Sequence, residues 1–218
     1  MSKKGFIFDL DGVIVDTAKY HFLAWQQLAK NLDINFTEEE NEQLKGVSRV
    51  RSLEKILAWG NKTISQDLFD KLMGEKNEEY LSYIAEMDES EILPDVPKVL
   101  SFLKDNKQPI SLGSASKNAR TILERVNLKS SFNAIVDGND VTKAKPDPEV
   151  FLIAAKQIDM KPEDCIVFED SVAGVEAANT ANMISIGIGS KSVLGHADYV
   201  FNDFTEISED FIKSLIEK

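Results

Sequence analysis

The chain is 218 residues long, 43% hydrophobic and 28% charged, and its 25 Lys and Arg face 37 Asp and Glu for a net charge of −12. Such a length and mix exclude disordered and collagen-like chains and leave one or two globular domains with a sizeable core. The acidity argues against broad nucleic-acid binding, which needs a basic face, and against adsorption to anionic membranes.

Met1-Ser2-Lys3-Lys4 leads straight into the first predicted strand, residues 5–10, rather than into the long apolar segment of a secretory signal. That strand ends in Asp9-Leu10-Asp11-Gly12. From about Asp16 to Glu89 the pattern is helical, with no convincing strand. Tyr20, Leu23, Ala24 and Leu28 share one face; Leu53, Ile56 and Leu57 share another; Leu68, Leu72, Tyr80, Leu81 and Ile84 continue the period. Beyond Ile92-Leu93-Pro94, strands are predicted at 110–112, 134–136, 166–168, 184–188 and 199–201. Helices are predicted between most of them, at 96–104, 119–126, 149–157 and 172–180. This alternation predicts an α/β, doubly wound (Rossmann-like) parallel sheet with helices on both faces, and near-continuous apolar strands suit it. The expected division is a core of residues 1–15 and 91–218 with a helical cap at 16–90 inserted after the first strand. No run approaches the ~20 apolar residues of a membrane span. The lone Cys165 forms neither an internal disulfide nor a cysteine zinc site and reads as buried and inert. A soluble, cytoplasmic monomer is expected.

In doubly wound sheets, ligands bind at the carboxyl ends of the strands. Asp9 and Asp11 follow the first predicted strand here, Ser114-Ala115-Ser116 the second, and Glu169-Asp170 the fourth; Lys145 precedes Pro146-Asp147-Pro148. Clustered carboxylates repel one another unless a cation binds, and Mg²⁺ is the natural hard-oxygen partner. A lysine and hydroxyls beside helix starts suit a phosphate. Together they describe phosphoryl transfer, with a carboxylate available as nucleophile. In the helical region Thr17, His21 and Trp25 recur at intervals of four on one face. Lys45-Gly46-Val47-Ser48-Arg49 reads as a loop and helix start, and Lys76-Asn77 lies on a later helix.

Phe8-Asp9-Leu10-Asp11-Gly12-Val13 resembles the first motif of the haloacid-dehalogenase-like phosphotransferases. Ser114, Lys145 and Glu169-Asp170 match that family's second, third and fourth motifs, in order and at fitting spacing, and the helical insertion resembles its small α-helical cap. The resemblance covers essentially the whole chain. It implies that Asp9 is the nucleophile, Asp11 the general acid/base, and Ser114 and Lys145 the holders of the phosphoryl group. Mg²⁺ would be ligated by Asp9, Asp11 (through its main-chain carbonyl), Asp170 and Glu169. The cap narrows the likeness to hexose-phosphate mutases. That implies interconversion of β-glucose 1-phosphate and glucose 6-phosphate through an aspartyl-phosphate and glucose 1,6-bisphosphate. The implied partner is a small phosphorylated sugar. Its contacts on the cap would be Thr17, Trp25, Lys45, Gly46, Val47, Arg49, Ser52 and Lys76. On the core they would be Ser114, Ala115, Ser116 and Asn118. His21, beside Lys76 and Lys45, would help Asp11 change position as the cap closes, and Arg49 would grip the non-transferring phosphate.

Plainer readings stand beside these. Ser114 and Ser116 suit N-caps of the 119–126 helix, and Asp170 an N-cap of the helix after it. Lys145 reads equally as a loop lysine, Lys76 as an exposed salt-bridging one, Glu169 as an exposed acid and His196 as a surface residue. A Mg²⁺-dependent phosphatase of the same fold is the nearest alternative activity. A phospho-acceptor module of the receiver type and a metal-free dehalogenase fit less well, because of the Asp-x-Asp pair and the insertion. Four acids and four bases (Lys45, Arg49, Lys76, Lys145) leave the expected site near neutral, so the global acidity does not bar a phosphorylated sugar.

Overall fold

The apolar runs pair as β1 (Gly5–Phe8), β2 (Ile110–Gly113), β3 (Ala134–Val136), β4 (Cys165–Glu169), β5 (Ile184–Ile188) and β6 (Tyr199–Phe201). The computed structural model describes residues 3–217. Among them these strands form one sheet, all neighbours parallel, in the order β3-β2-β1-β4-β5-β6. Alternate side chains point to opposite faces. Phe6, Phe8 and Phe168 therefore pack on one face, under α5 (Val96–Asp105), α6 (Ala119–Arg125) and α10 (Glu209–Ile216). Ile7 and Val167 pack on the other, under α7 (Glu149–Gln157) and α8 (Val172–Thr180). The Phe8 and Phe168 rings stack 4.6 Å apart across paired strands, and Phe204 closes on Phe168 at 5.4 Å. A short α9 (Lys191–Leu194) lies between β5 and β6.

Residues between β1 and α5 form α1 (Ala18–Asn31), α2 (Glu38–Glu42), α3 (Arg49–Trp59) and α4 (Gln66–Ala85). They bury an apolar cluster of their own, including Trp25, Leu28, Leu53, Ile56 and Leu72, while Ala24, Tyr80, Ile84 and Met87 join the sheet's core. The chain enters and leaves this unit side by side. Asp16 N–H donates to the Glu91 carbonyl at 3.0 Å, and Leu93 N–H to the Ile14 carbonyl at 3.0 Å. Among the described residues no helix is long and apolar enough to cross a membrane.

Several local expectations are corrected. The first strand stops at Phe8, because the Leu10 carbonyl accepts from Ile14 N–H at 2.9 Å and Val15 N–H at 3.1 Å and turns the chain back. Leu23 and Leu68 are 43% and 37% exposed. The buried stripe of α4 is instead Leu72, Lys76, Tyr80 and Ile84, at intervals of four, with a lysine in an apolar register. Neither Ser114 nor Ser116 caps α6, whose N-cap residue is Asn118 without a side-chain bond. Ser171, not Asp170, caps α8 by accepting from Gly174 N–H at 3.1 Å.

Phe168 is fully buried at the centre of the aromatic stack. Phe168→Ala is expected to lower the unfolding free energy by about 3–5 kcal/mol, measured by urea denaturation.

Candidate active site

β1 sits between β2 and β4, with Phe8 in register with both Leu112 and Phe168. The residues at and just past these adjacent strand ends are therefore neighbours in space, which unites Asp9 and Asp11, the 114–118 loop, and Glu169-Asp170. Lys145, from the loop between β3 and α7, enters this group. Its Nζ lies 2.6 Å from Asp9 Oδ1 and 2.5 Å from Glu169 Oε1. Burial alone would push the Lys145 pKa down, but the two carboxylates outweigh it and the net shift is upward, so the ammonium stays charged. Glu169 is fully buried rather than an exposed acid. Its Oε2 accepts from Ser171 N–H at 2.8 Å and Ser171 Oγ at 2.9 Å, so both of its oxygens are engaged.

Burial pushes the Asp9 carboxyl up from its ordinary value; Lys145 opposes this, while Glu169 and Asp11 reinforce it. Burial raises Asp170 as well, reinforced by Glu169 and Asp9, and the cation balancing it is Lys45 at 3.6 Å. Asp11 is raised mainly by burial, against the opposing hydrogen bond from Thr17. Carboxylates held protonation-prone by desolvation and mutual repulsion form a site short of positive charge. Among the described residues no three acidic, His or Cys side chains already converge on one point. The Asp9 and Asp170 carboxylates, lining one cavity with room for waters and phosphate oxygens, suit Mg²⁺, which seldom occupies an all-protein cage.

Above these groups lies a cavity of about 510 Å³, closed on its far side by the helical insertion. Asp9, Asp11, Asp170, Ala115, Ser116, Lys117 and Asn118 line it from the sheet. Ser114, fully buried, lies beneath and accepts from Ser116 N–H at 3.0 Å, and Ser116 Oγ accepts from Asn118 N–H at 3.3 Å. The serines thus shape the loop rather than cap the helix.

The insertion contributes Thr17, His21, Trp25, Lys45, Gly46, Val47, Arg49, Ser52 and Lys76 to the lining. Thr17 is the residue before α1, and its hydroxyl donates to Asp11 Oδ1. Gly46 has a φ of +69°, and a Cβ there would lie 2.5 Å from Ser171 Oγ, so only glycine lets this loop meet the core so closely. Ser52 Oγ is turned back to the Ser48 carbonyl at 3.1 Å. Besides the Thr17–Asp11 bond, Lys45 meets Asp170 and Asn118 Nδ2 donates to Asn77 Oδ1 at 3.3 Å, joining insertion to core beside the cavity.

Lys76 is only 3% exposed, not a solvated lysine. Its Nζ lies 3.0 Å from His21 Nδ1, and 4.7 and 4.6 Å from the Trp25 and Tyr80 ring centres. Burial and then Arg49 push its pKa down to about 7. His21 is held well below its ordinary value by burial, Lys76 and Arg49. It is therefore neutral, accepts from Lys76 at Nδ1, and turns Nε2–H toward Asp11 Oδ1, 3.9 Å away. Arg49, partly buried, has no carboxylate partner among the described residues, and neither has Lys76. A half-buried guanidinium and a buried amine, neither with a carboxylate partner and both lining a cavity, suit an anion.

Sequence reading missed Tyr80 as part of this lining. Its ring stacks on His21 at 4.2 Å, and its buried hydroxyl has no hydrogen-bond partner. The signal was present in its spacing, one helical turn after Lys76. It also missed Gly138 and residues 141–144, which line the cavity but carry no motif.

The pattern of the haloacid dehalogenase-like hydrolase family matches residues 3–182. A β-phosphoglucomutase of Bacillus subtilis is 41% identical over 96% of this chain and 93% of its own length. A crystal structure of β-phosphoglucomutase from Clostridium difficile, 40% identical, superposes with a TM-score of 0.94 over 99% of this chain and 97% of that one. A phosphatase of phosphorylated carbohydrates from Thermotoga maritima is 30% identical over 81% of each chain. The chain belongs to the haloacid dehalogenase-like hydrolase family. Like these relatives, it is an enzyme.

Tyr80→Phe removes a hydroxyl that satisfies nothing, so thermal melts are expected to show equal or higher stability; a loss above about 1 kcal/mol would contradict this. Lys76 has a folded-state pKa near 7, below its ordinary 10.5. Between these values the unfolded chain binds a proton that the folded one lacks, so stability rises with pH across the interval. In urea titrations from pH 7 to 10, Lys76→Met is expected to lose that part of the rise.

Proposed function

We propose that this enzyme is a phosphomutase that interconverts β-D-glucose 1-phosphate and D-glucose 6-phosphate. The carrying observation is the pair of basic residues without carboxylate partners, Arg49 and Lys76, which line from the insertion one cavity that Asp9 lines from the sheet, with Lys145 bonded to Asp9 behind it. That arrangement offers a phosphate-sized anion site at each end, as a hexose bisphosphate requires. The likeness to two β-phosphoglucomutases supports the same reading.

In the proposed cycle the enzyme carries a phosphoryl group on Asp9. The C6 hydroxyl of β-glucose 1-phosphate attacks that phosphorus, its proton passes to Asp11, and Asp9 leaves as a carboxylate. Glucose 1,6-bisphosphate then turns over in the cavity. Asp9 attacks the phosphorus on C1, the phosphorus–oxygen bond to C1 breaks, and Asp11 returns its proton to the leaving oxygen. Burial, by raising Asp11, suits it to hold that proton between the steps. Lys145 and Ser114 hold the transferring group at Asp9. Arg49, with Ser116 and Asn118, grips the other phosphate; a planar guanidinium does so bidentately. Asp9, the Asp11 main-chain oxygen and Asp170 would hold Mg²⁺, which would neutralise charge at the transferring phosphoryl group. Glu169, which already accepts from Lys145 at Oε1 and from Ser171 at Oε2, would be a further ligand. The insertion, acting as a cap, keeps water from the aspartyl-phosphate.

A coupled assay supplies β-glucose 1-phosphate with a trace of glucose 1,6-bisphosphate and reads glucose 6-phosphate, with the α anomer as control. Turnover of the β anomer alone is expected; hydrolysis to glucose and phosphate instead would favour a phosphatase. Asp9→Asn is expected to abolish both activities. Arg49→Ala is expected to lower mutase kcat/KM roughly ten- to hundredfold, the worth of a charged hydrogen bond, while sparing hydrolysis of a small phosphate monoester.

A further inference from the structure

The turn at residues 137–140 follows β3 and lies directly behind the 114–118 loop. On α6, Arg120 closes this turn. Its Nη1 pairs with Asp137 Oδ2, and its Nη2 donates to the Ile135 carbonyl at 2.7 Å and to Asp140 Oδ2 at 2.8 Å. Asp137, 1% exposed, accepts at Oδ1 from Asn139 N–H at 2.8 Å and from Asn139 Nδ2 at 3.0 Å. Asp140 Oδ2 accepts in turn from Asp137 N–H at 2.9 Å.

The braced turn then reaches the loop through two donors. Gly138 N–H donates to the Ser116 carbonyl at 3.2 Å, and Asn139 Nδ2 donates to the Lys117 carbonyl at 3.0 Å. Gly138 packs so closely that a Cβ there would press into the Ala115 carbonyl oxygen. The carbonyls of residues 115–117 are thus held toward the turn. Carbonyl oxygens free to swing into the cavity would present negative dipoles to an anion and would have to be reordered on binding. Donors fixed beforehand avoid that cost.

We propose that Arg120, Asp137 and Asn139 are positioning residues that preorganise the 114–118 loop for phosphate. This rests on the mutase reading only for the identity of the phosphate's carrier. Arg120 is 41% exposed at its side chain and Asn139 lies at the surface, so changing either leaves the apolar core intact.

The test compares wild type, Asn139→Ala and Arg120→Gln by steady-state kinetics with β-glucose 1-phosphate, by calorimetric titration with inorganic phosphate, and by thermal melts. For Asn139→Ala, KM and the phosphate dissociation constant are expected to rise roughly three- to tenfold, with kcat within about twofold. Arg120→Gln is expected to move both further in the same direction. A lowered melting temperature with unchanged KM and phosphate affinity would mean a purely structural brace and overturn the proposal, as would wild-type behaviour in both variants. If wild type fails to turn over the sugar phosphate, the mutase reading falls, and the phosphate titration still decides the loop's brace. If Arg120→Gln does not fold, Asn139→Ala decides alone.

Discussion

A single ammonium group organises the sheet's end of the cavity. Lys145 is buried between Asp9 and Glu169, and each of the three would be costly to bury alone. Together they form a short chain of opposite charges, and Glu169 is anchored further by the N–H and hydroxyl of Ser171 at the start of α8. The chain of contacts thus runs from a helix start, through a carboxylate and a lysine, to the Asp9 oxygen. Removing any link would leave a buried charge uncompensated. The direction of Asp9 is therefore set before any ligand arrives.

The opposite wall obeys the reverse logic. Lys76 occupies an apolar register of α4 and rests on the Trp25 and Tyr80 rings with a neutral His21 as its hydrogen-bond partner. Arg49 adds to the positive field that lowers both His21 and Lys76. Stability alone would put leucine at position 76. The arrangement holds a conditional charge in place, and a bound anion would relieve it. The two walls are tied where Lys45 meets Asp170 and Asn77 meets Asn118. Ala24, Tyr80, Ile84 and Met87, packed into the sheet's core, hold the same unit against the core from below.

Much of the sheet was legible because parallel strands are apolar throughout and helices punctuate them. The runs at 134–136, 184–188 and 199–201 match β3, β5 and β6. Strand ends and caps were less legible. Leu10 is as apolar as its neighbours, and only the turn that uses its carbonyl shows that the strand is over. Ser114, Ser116 and Asp170 are good capping residues by type, yet Asn118 and Ser171 hold the cap positions. Residue type permits a cap, but the angle at which a strand hands over to a helix decides it.

By itself the sequence determined the doubly wound parallel-sheet class, a helical stretch after the first strand, and the acids, serines and lysine that follow the strands. Period and motif are local properties of the chain. Tertiary structure alone decided that Lys76 is buried and paired with His21, that both Glu169 oxygens are engaged, and that Tyr80, Gly138 and residues 141–144 face the cavity. It also decided that Arg120 braces the phosphate-side loop. Each of these depends on which strand ends are neighbours and on where the insertion comes to rest against them. Both are set by contacts between residues distant in the chain, and no local pattern records them.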